Sequence, residues 1–227
     1  MMTQSALSPI IGSSAISTSS VLSVHHHPST TSVLKRLLDI LGSLVGLVIL
    51  AIVFLPIAIA IQLDNPGPIF FTQERCGLYG RPIKIRKFRS MVVNADALKA
   101  QIKNEAKGLI FKNENDPRVT RVGRFLRKTS LDELPQFWNV LIGEMSLVGT
   151  RPPTFDEVIH YQEHHWRRLN VKPGITGEWQ VNGRSSVKDF EDVVHLDLRY
   201  QKIWHPLYDL ILILKTIQVV IAKKGAC

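Results

Sequence analysis

The chain has 227 residues, enough for one domain with an appendage at the usual ~150 residues per domain. Hydrophobic residues make up 45% and charged residues 21%, which excludes a wholly disordered chain. The formal net charge is +9, and two cysteines, Cys76 and Cys227, exclude a disulfide framework and a four-ligand zinc site.

Residues 1–32 read as a Ser/Thr-rich tail. No charged side chain precedes Lys35, and the large apolar groups are too few to offset the entropy of ordering, so the tail is expected to be disordered. A run of His25, His26 and His27 offers metal ligands, but three imidazoles in such a tail are more simply inert. The basic n-region of a secretory signal is missing.

Residues 33–65 are expected to form a membrane helix. Between Asp39 and Asp64 no residue is charged, and Gln62 is the one strongly polar side chain. About 20 apolar helical residues cross ~30 Å of hydrocarbon, so a single span is one reading. Pro56 argues for a kink inside the run. Both flanks are basic, with Lys35 and Arg36 before and Arg75, Arg81, Lys84, Arg86, Lys87 and Arg89 after. The positive-inside rule then puts both ends on the cytoplasmic side. A re-entrant helix bent at Pro56 satisfies both observations and is the favoured reading.

Residues 66–227 change character. Asn65-Pro66-Gly67-Pro68 breaks the helix. Residues 69–73 and 83–88 read as short strands joined by a turn around Gly77 and Gly80. In the second strand Ile83, Ile85, Lys87 and Arg89 share one face by the period-two rule. Lys87 and Arg89 then either point into an anion-binding cleft or are solvated surface charges. Residues 94–107 read as a polar-faced helix ended by Gly108.

The passage from Arg127 to Val140 is the most informative. Ser130 and Glu133 have capping-box spacing ahead of an apolar helix. Alternatively Asp132 is the cap, which suits Pro135. Either way Asp132 lies at a helix N-terminus, where the backbone dipole favours an ionised carboxylate. Such a group is a candidate nucleophile or magnesium ligand, although a capping role alone also accounts for the local pattern.

Weaker signals follow. Arg151 stands in the rigid turn Gly149-Thr150-Arg151-Pro152-Pro153, which suits phosphate recognition. Residues 171–177 and Asn182-Gly183-Arg184 form a Gly-rich loop with cations at both ends. His160, His164 and His165 beside Glu163 resemble a metal site, but such histidines are usually surface residues. Residues 188–204 form an amphipathic helix. Residues 207–222 are strongly apolar but too short to span, so the interface is their natural place. The P-loop, the GxGxxG and the Asp-x-Asp patterns are all missing. The aromatics are not interleaved with the cations as in RNA-binding proteins, so nucleic acid is not expected as a partner. A basic membrane-bound face equally attracts anionic lipid and nucleotide phosphates.

From about Leu34 onward the chain resembles the bacterial sugar transferases, the monotopic polyprenyl-phosphate phosphoglycosyl transferases. The matching segments are Lys35-Arg36-Leu37-Leu38-Asp39, Phe71-Thr72-Gln73-Glu74-Arg75, Lys87-Phe88-Arg89-Ser90-Met91, Ser130-Leu131-Asp132-Glu133-Leu134-Pro135-Gln136, Met145-Ser146-Leu147-Val148-Gly149, and Lys172-Pro173-Gly174-Ile175-Thr176-Gly177 running into Gln180-Val181-Asn182-Gly183-Arg184. Two positions depart from the family pattern. Thr150-Arg151-Pro152 stands for Pro-Arg-Pro, and Cys76 stands where Pro or Val is usual.

The resemblance implies a helix-rich α+β monotopic membrane protein. Its N-terminal helix would be re-entrant and proline-kinked, followed by a small strand element and interfacial amphipathic helices. Catalysis would take place on the cytoplasmic face of the bacterial plasma membrane. The implied reaction moves a sugar 1-phosphate from a UDP-sugar to undecaprenyl phosphate and releases UMP, as the first step of exopolysaccharide, capsule or O-antigen synthesis. Glucose and galactose are the family's habitual sugars. Asp132 is implied as nucleophile and Mg2+ ligand, Glu133 as its partner, and Lys87, Arg127, Arg151, Arg184 and Arg89 as cations for catalysis and phosphate binding. Two phosphate-bearing substrates repel each other, so a covalent intermediate separates them in time. The bilayer is the third partner, and a homodimer is left open. The competing reading is a membrane-anchored, non-enzymatic polysaccharide assembly factor, against which the intact Asp132, Glu133 and Lys87 argue.

Overall fold

A computed structural model describes residues 26–183 and 187–222. Most of the expected tail, residues 1–25, lies outside the described residues. Its last part is ordered rather than disordered. Pro28–Thr31 form one helical turn, the His27 imidazole caps that turn, and His27 Nε2 meets Gln201 O at 2.9 Å. These contacts, and the burial of Ser29, supply what composition alone did not reveal.

Helix α1 (Val33–Asp64) begins where the Ser32 hydroxyl accepts from Lys35 N, satisfying one of the unpaired amides of its first turn. Among the described residues it is the one helix long and apolar enough to cross a membrane. It continues through Pro56 and ends at Asn65, whose backbone is extended. Its first half buries Lys35, Asp39, Ser43 and Gly46. Spacings of three and four put these on one face, while Val45, Val48 and Ile52 are exposed. Polar side chains inward and apolar side chains outward is the reverse of a surface helix in water. That arrangement suits hydrocarbon surroundings. The small stripe also permits close approach: a Cβ on Gly46 would stand 2.3 Å from the Phe137 ring.

Both ends of α1 are tied to the rest of the chain. Near the start, Lys35 Nζ donates to Asp209 Oδ2 at 2.6 Å and to Val148 O at 2.9 Å. Asp39 Oδ1 accepts from Ser146 Oγ and Leu147 N at 2.9 and 2.8 Å. At the far end, Asp64 Oδ2 accepts from Val122 N at 2.9 Å.

Strands β1 (Phe70–Cys76) and β2 (Pro82–Phe88) pair antiparallel, with Gln73 opposite Ile85 and Phe71 opposite Lys87. Alternation sends Ile83 and Ile85 to one core with Val140 and Met145. Phe88 goes the other way, packing with Ile57 and Ile61 of α1 and Leu126. The helix expected over 94–107 is much shorter, reaching only from Ala95 to Gln101. Beyond it the Asn104 side chain accepts from Ala106 N and Lys112 N and donates to Ile110 O, offering the backbone an alternative to the helix.

Helix α2 (Arg121–Thr129) is capped by Thr120 and leads through Ser130 into a 3-10 helix, Leu131–Gln136, and then α3 (Phe137–Leu141). Strands β3 (Ser146–Val148) and β4 (Gly174–Thr176) pair parallel. Helices α4 (Phe190–Ile203) and α5 (Pro206–Ile221) close the fold. Tyr200 and Leu212 of these helices share a core with Val148 and Val171. The outer side of α5 exposes Leu207, Leu210, Leu214 and Ile217. Like those of α1, these are exposed aliphatic side chains that water would not favour. The result is a helix-rich α+β fold with two small sheets and a long apolar N-terminal helix.

Candidate active site

The capping box expected from Ser130 and Glu133 does not form. Ser130 adopts φ 57, a left-handed conformation; it closes α2 and opens the 3-10 helix through its carbonyl, with no cap bond from its side chain. Asp132 and Glu133 therefore occupy the first turn of the 3-10 helix, and the apolar helix that follows is only Phe137–Leu141. Asp132 is buried and Glu133 half-buried.

Lys87, near the end of β2, donates to Glu133 Oε1 at 2.8 Å. Arg127 comes from the last turn of α2, and its Nε donates to Ser90 Oγ at 2.9 Å. Burial lowers the Arg127 guanidinium from its ordinary value, and the carboxylates of Asp132, Asp116 and Glu133 act against that. The position of α2 depends on Gly123. A Cβ there would lie 1.9 Å from Ser90 O, so only glycine lets the helix rest against the chain that follows β2. Lys87, Arg127, Asp132 and Glu133 are thus brought together by one strand end and the α2–3-10 corner.

The other cations are placed differently. Arg89 does not share a cleft with Lys87. Its guanidinium bonds Pro68 O and the Asn65 side chain and carbonyl, holding the chain as it leaves α1. The strand ends at Phe88, so the period-two rule no longer fixes its direction. Arg151 has its fork filled by a carboxylate: Nη1 and Nη2 donate to Glu157 at 2.8 and 3.0 Å. Burial pushes the Glu157 carboxyl up, but Arg151 outweighs it and leaves Glu157 below its ordinary value. Arg184 lies outside the described residues.

Arg75 was not singled out as a site residue by the sequence. It donates to Gln73 Oε1 and Pro152 O. Burial and the neighbouring Arg151 cation bring its guanidinium down to about 10, while Glu157 and Glu133 act in the other direction. Arg75 therefore stands within the charge field of both the Arg151–Glu157 pair and Glu133. Asp116 and Arg118 were also missed. They form a buried bidentate pair, with Arg118 Nη2 at 2.6 Å from Asp116 Oδ2, and Asp116 in turn acts on Arg127. The signals were short: Asp116-Pro117-Arg118, and Thr154 three residues before Glu157, which do form a capping box.

A cavity of about 290 Å³ adjoins Arg127. Phe111, Lys112, Arg118, Trp179 and Lys188 line it, together with the carboxylates of Glu105, Glu114 and Asp116. Lys112 lies over the Trp179 ring at 5.4 Å and Arg118 over the Phe111 ring at 5.3 Å. The adjacent carboxylates of Asp132 and Glu133 are hard oxygen donors of the kind Mg2+ takes.

A second group with metal-ligand chemistry does not resemble a metal centre. His164 and His165 meet Glu191, not Glu163, at 3.1 and 2.8 Å. His165 Nδ1 accepts from Gln162 N at 3.0 Å. A neutral His165 must then carry its proton on Nε2 and donate it to Glu191, which removes the lone pair a metal would need.

A family model described as bacterial sugar transferase matches residues 30–223. The galactosyl transferase CpsE of Streptococcus agalactiae is 50% identical over 194 residues, covering 85% of this chain and 43% of that protein. The UDP-glucose:undecaprenyl-phosphate glucose-1-phosphate transferase of Escherichia coli is 41% identical over 201 residues, covering 85% of this chain and 41% of its own length. The chain thus spans less than half of these two relatives. The exopolysaccharide production protein ExoY of Rhizobium meliloti is 37% identical over 198 residues, with 85% and 87% covered.

Proposed function

The chain belongs to the bacterial sugar transferase family, and on that premise we propose that it transfers a sugar 1-phosphate from a UDP-sugar to undecaprenyl phosphate, releasing UMP. The observation that carries this reading is the assembly of buried Asp132 with Glu133, Lys87 and Arg127 beside the membrane helix.

The cavity beside Arg127 suits the nucleotide of the donor, since it combines aromatic faces with cations. An Asp132 oxygen attacks the phosphorus next to the sugar. The bond from that phosphorus to the oxygen bridging to UMP breaks, and UMP leaves with the electron pair. The phosphosugar is then carried on the Asp132 carboxylate. An oxygen of undecaprenyl phosphate attacks the same phosphorus, frees the carboxylate and forms the lipid diphosphate sugar. Lys87 holds Glu133 next to the nucleophile, and Arg127 faces the charge that develops in both steps. Mg2+, held by Asp132 and Glu133, would supply further charge neutralisation for the diphosphate.

The favoured setting is the cytoplasmic face of the plasma membrane, with α1 re-entering at Pro56. Support comes from the ties of Lys35, Asp39 and Asp64 to the same domain. A helix of 32 residues is ~48 Å long when straight, so a span would carry one set of these ties across the bilayer. Purified chain incubated with undecaprenyl phosphate and a panel of UDP-sugars tests the function. UMP release with one hexose is expected, and no UMP with any of them would refute it.

A further inference from the structure

Two cavities flank the corner that carries Asp132. The second has about 350 Å³ and lies among Ile49 of α1, Leu134 and Phe137, Ile175 of β4, and Ile217 and Val220 of α5. Glu133 lines it too, the same side chain that pairs with Lys87. Its threonine hydroxyls are engaged: Thr129 donates to Phe125 O at 2.8 Å. Thr176 and Thr216 bond each other at 2.6 Å, and Thr216 also donates to Leu212 O.

Two of the walls belong to helices whose outward sides are apolar. Ile49 stands among the exposed Val45, Val48 and Ile52, and Ile217 follows the exposed Leu214. An occupant arriving between these helices comes from hydrocarbon. Covering the apolar wall of such a space is favoured by roughly 25 cal/mol per Å² of that wall removed from water. The cavity reaches Glu133, the partner of Lys87, so the head group of an occupant stands beside the Lys87, Arg127 and Asp132 group.

We infer that this cavity holds the phosphate-proximal isoprene units of the polyprenyl acceptor, an inference that rests on the transferase reading. The acceptor oxygen has to reach the phosphorus carried on Asp132, so the first carbons behind its phosphate lie beside Glu133. The cavity next to Arg127 is lined by charged side chains of both signs and by aromatic rings. The apolar cavity is the one that matches a branched hydrocarbon chain with a phosphate head. Ile217 and Ile49 form the walls on which that chain packs, and they set a preference for acceptors long enough to fill the cavity over short ones that end inside it.

The test compares polyprenyl phosphates of increasing length with the full chain in lipid nanodiscs. Ile217→Trp fills the cavity from a half-exposed position, and Ile217→Ala enlarges it. Leu214→Trp changes the same helix outside the cavity lining. Displacing part of one isoprene unit, about two CH2 groups, is worth a factor of about ten. Ile217→Trp is therefore expected to raise the KM for the long acceptor about tenfold and to erase the length preference. Ile217→Ala should weaken the long acceptor more than the short one, and Leu214→Trp should change neither. An acceptor KM and length preference unchanged in both Ile217 variants would overturn the inference. So would a unmodified chain indifferent to acceptor length whose acceptor KM rises with phospholipid, since acyl chains would then fill the space. UMP release by the unmodified chain in the presence of the long acceptor is followed in parallel. Its loss in the unmodified chain with every UDP-sugar would remove the transferase reading itself, whereas its presence confines any failure to the cavity.

Discussion

Lys87 and Glu133 stand 46 residues apart in sequence and share an ion pair of 2.8 Å. The pair locks the end of β2 to the turn that carries Asp132. Exposed or half-exposed pairs contribute only about 1 kcal/mol to stability, so its importance lies in position. Lys87→Gln is expected to lower turnover about 100-fold, the range for loss of one preorganised donor. The melting temperature should move by only a few degrees. Steady-state rates and thermal melts check this, and Lys87→Arg should restore part of the rate.

Gly123 controls the placement of Arg127 from four residues away. Gly123→Ala puts a Cβ against Ser90 O, and such overpacking typically costs about 1–3 kcal/mol. The Arg127–Ser90 bond should be lost with it. The milder Ser90→Ala leaves the helix in place and releases only the guanidinium. It should lower kcat more than it raises the KM for the donor, while Gly123→Ala lowers both stability and rate.

The Arg151–Glu157 pair ties fold stability to pH. The unfolded chain binds a proton at Glu157 near the ordinary value of 4.5, whereas the folded chain holds that carboxyl lower because of Arg151. The stability it contributes is therefore complete above about 4.5 and is lost as pH falls from there through the folded value. Glu157→Gln leaves a buried guanidinium without its anion and should cost about 3 kcal/mol at pH 7. Its unfolding free energy should then fall less steeply than that of the unmodified chain across the acid window. Urea unfolding from pH 7 down to pH 3 measures both effects. Arg151→Lys keeps a charge but not the two-pronged contact, and should recover only part of the loss.

Topology is tested by labelling Thr31→Cys and Pro66→Cys in turn, in a background without Cys227. Thr31 and Pro66 are exposed and flank α1, whereas Cys76 is buried. The two positions are expected to react from the same, cytoplasmic side. Reaction of one from the opposite side would refute re-entry. Pro56→Ala should favour a straight helix and shift one position across.

What the sequence made legible was local. The uncharged run of α1, the paired strands and the Asp132-Glu133 segment follow from composition, period and motif. What escaped it was mostly pairing at a distance. Lys35 and Asp209 are 174 residues apart, and no pattern marks the polar face of α1 as the inward one, because its environment reverses the usual rule. Ser130 misled for a different reason. Its spacing to Glu133 fits a cap, but the preceding helix claimed it in a left-handed conformation. Arg89 was assigned by strand period one residue past the strand. At Arg151 the sequence shows a fork that suits phosphate, and a carboxylate suits that fork equally well; the structure adds Glu157, six residues away.

The central claim is that Asp132 carries the sugar phosphate. Its most direct test is incubation of the purified chain with a UDP-sugar labelled in the sugar, without any lipid acceptor. The expected result is one UMP per active site, label retained on the protein at Asp132, and no retained label in a folded Asp132→Asn variant. Label that persists in that variant, or UMP release that strictly requires the lipid, would contradict it.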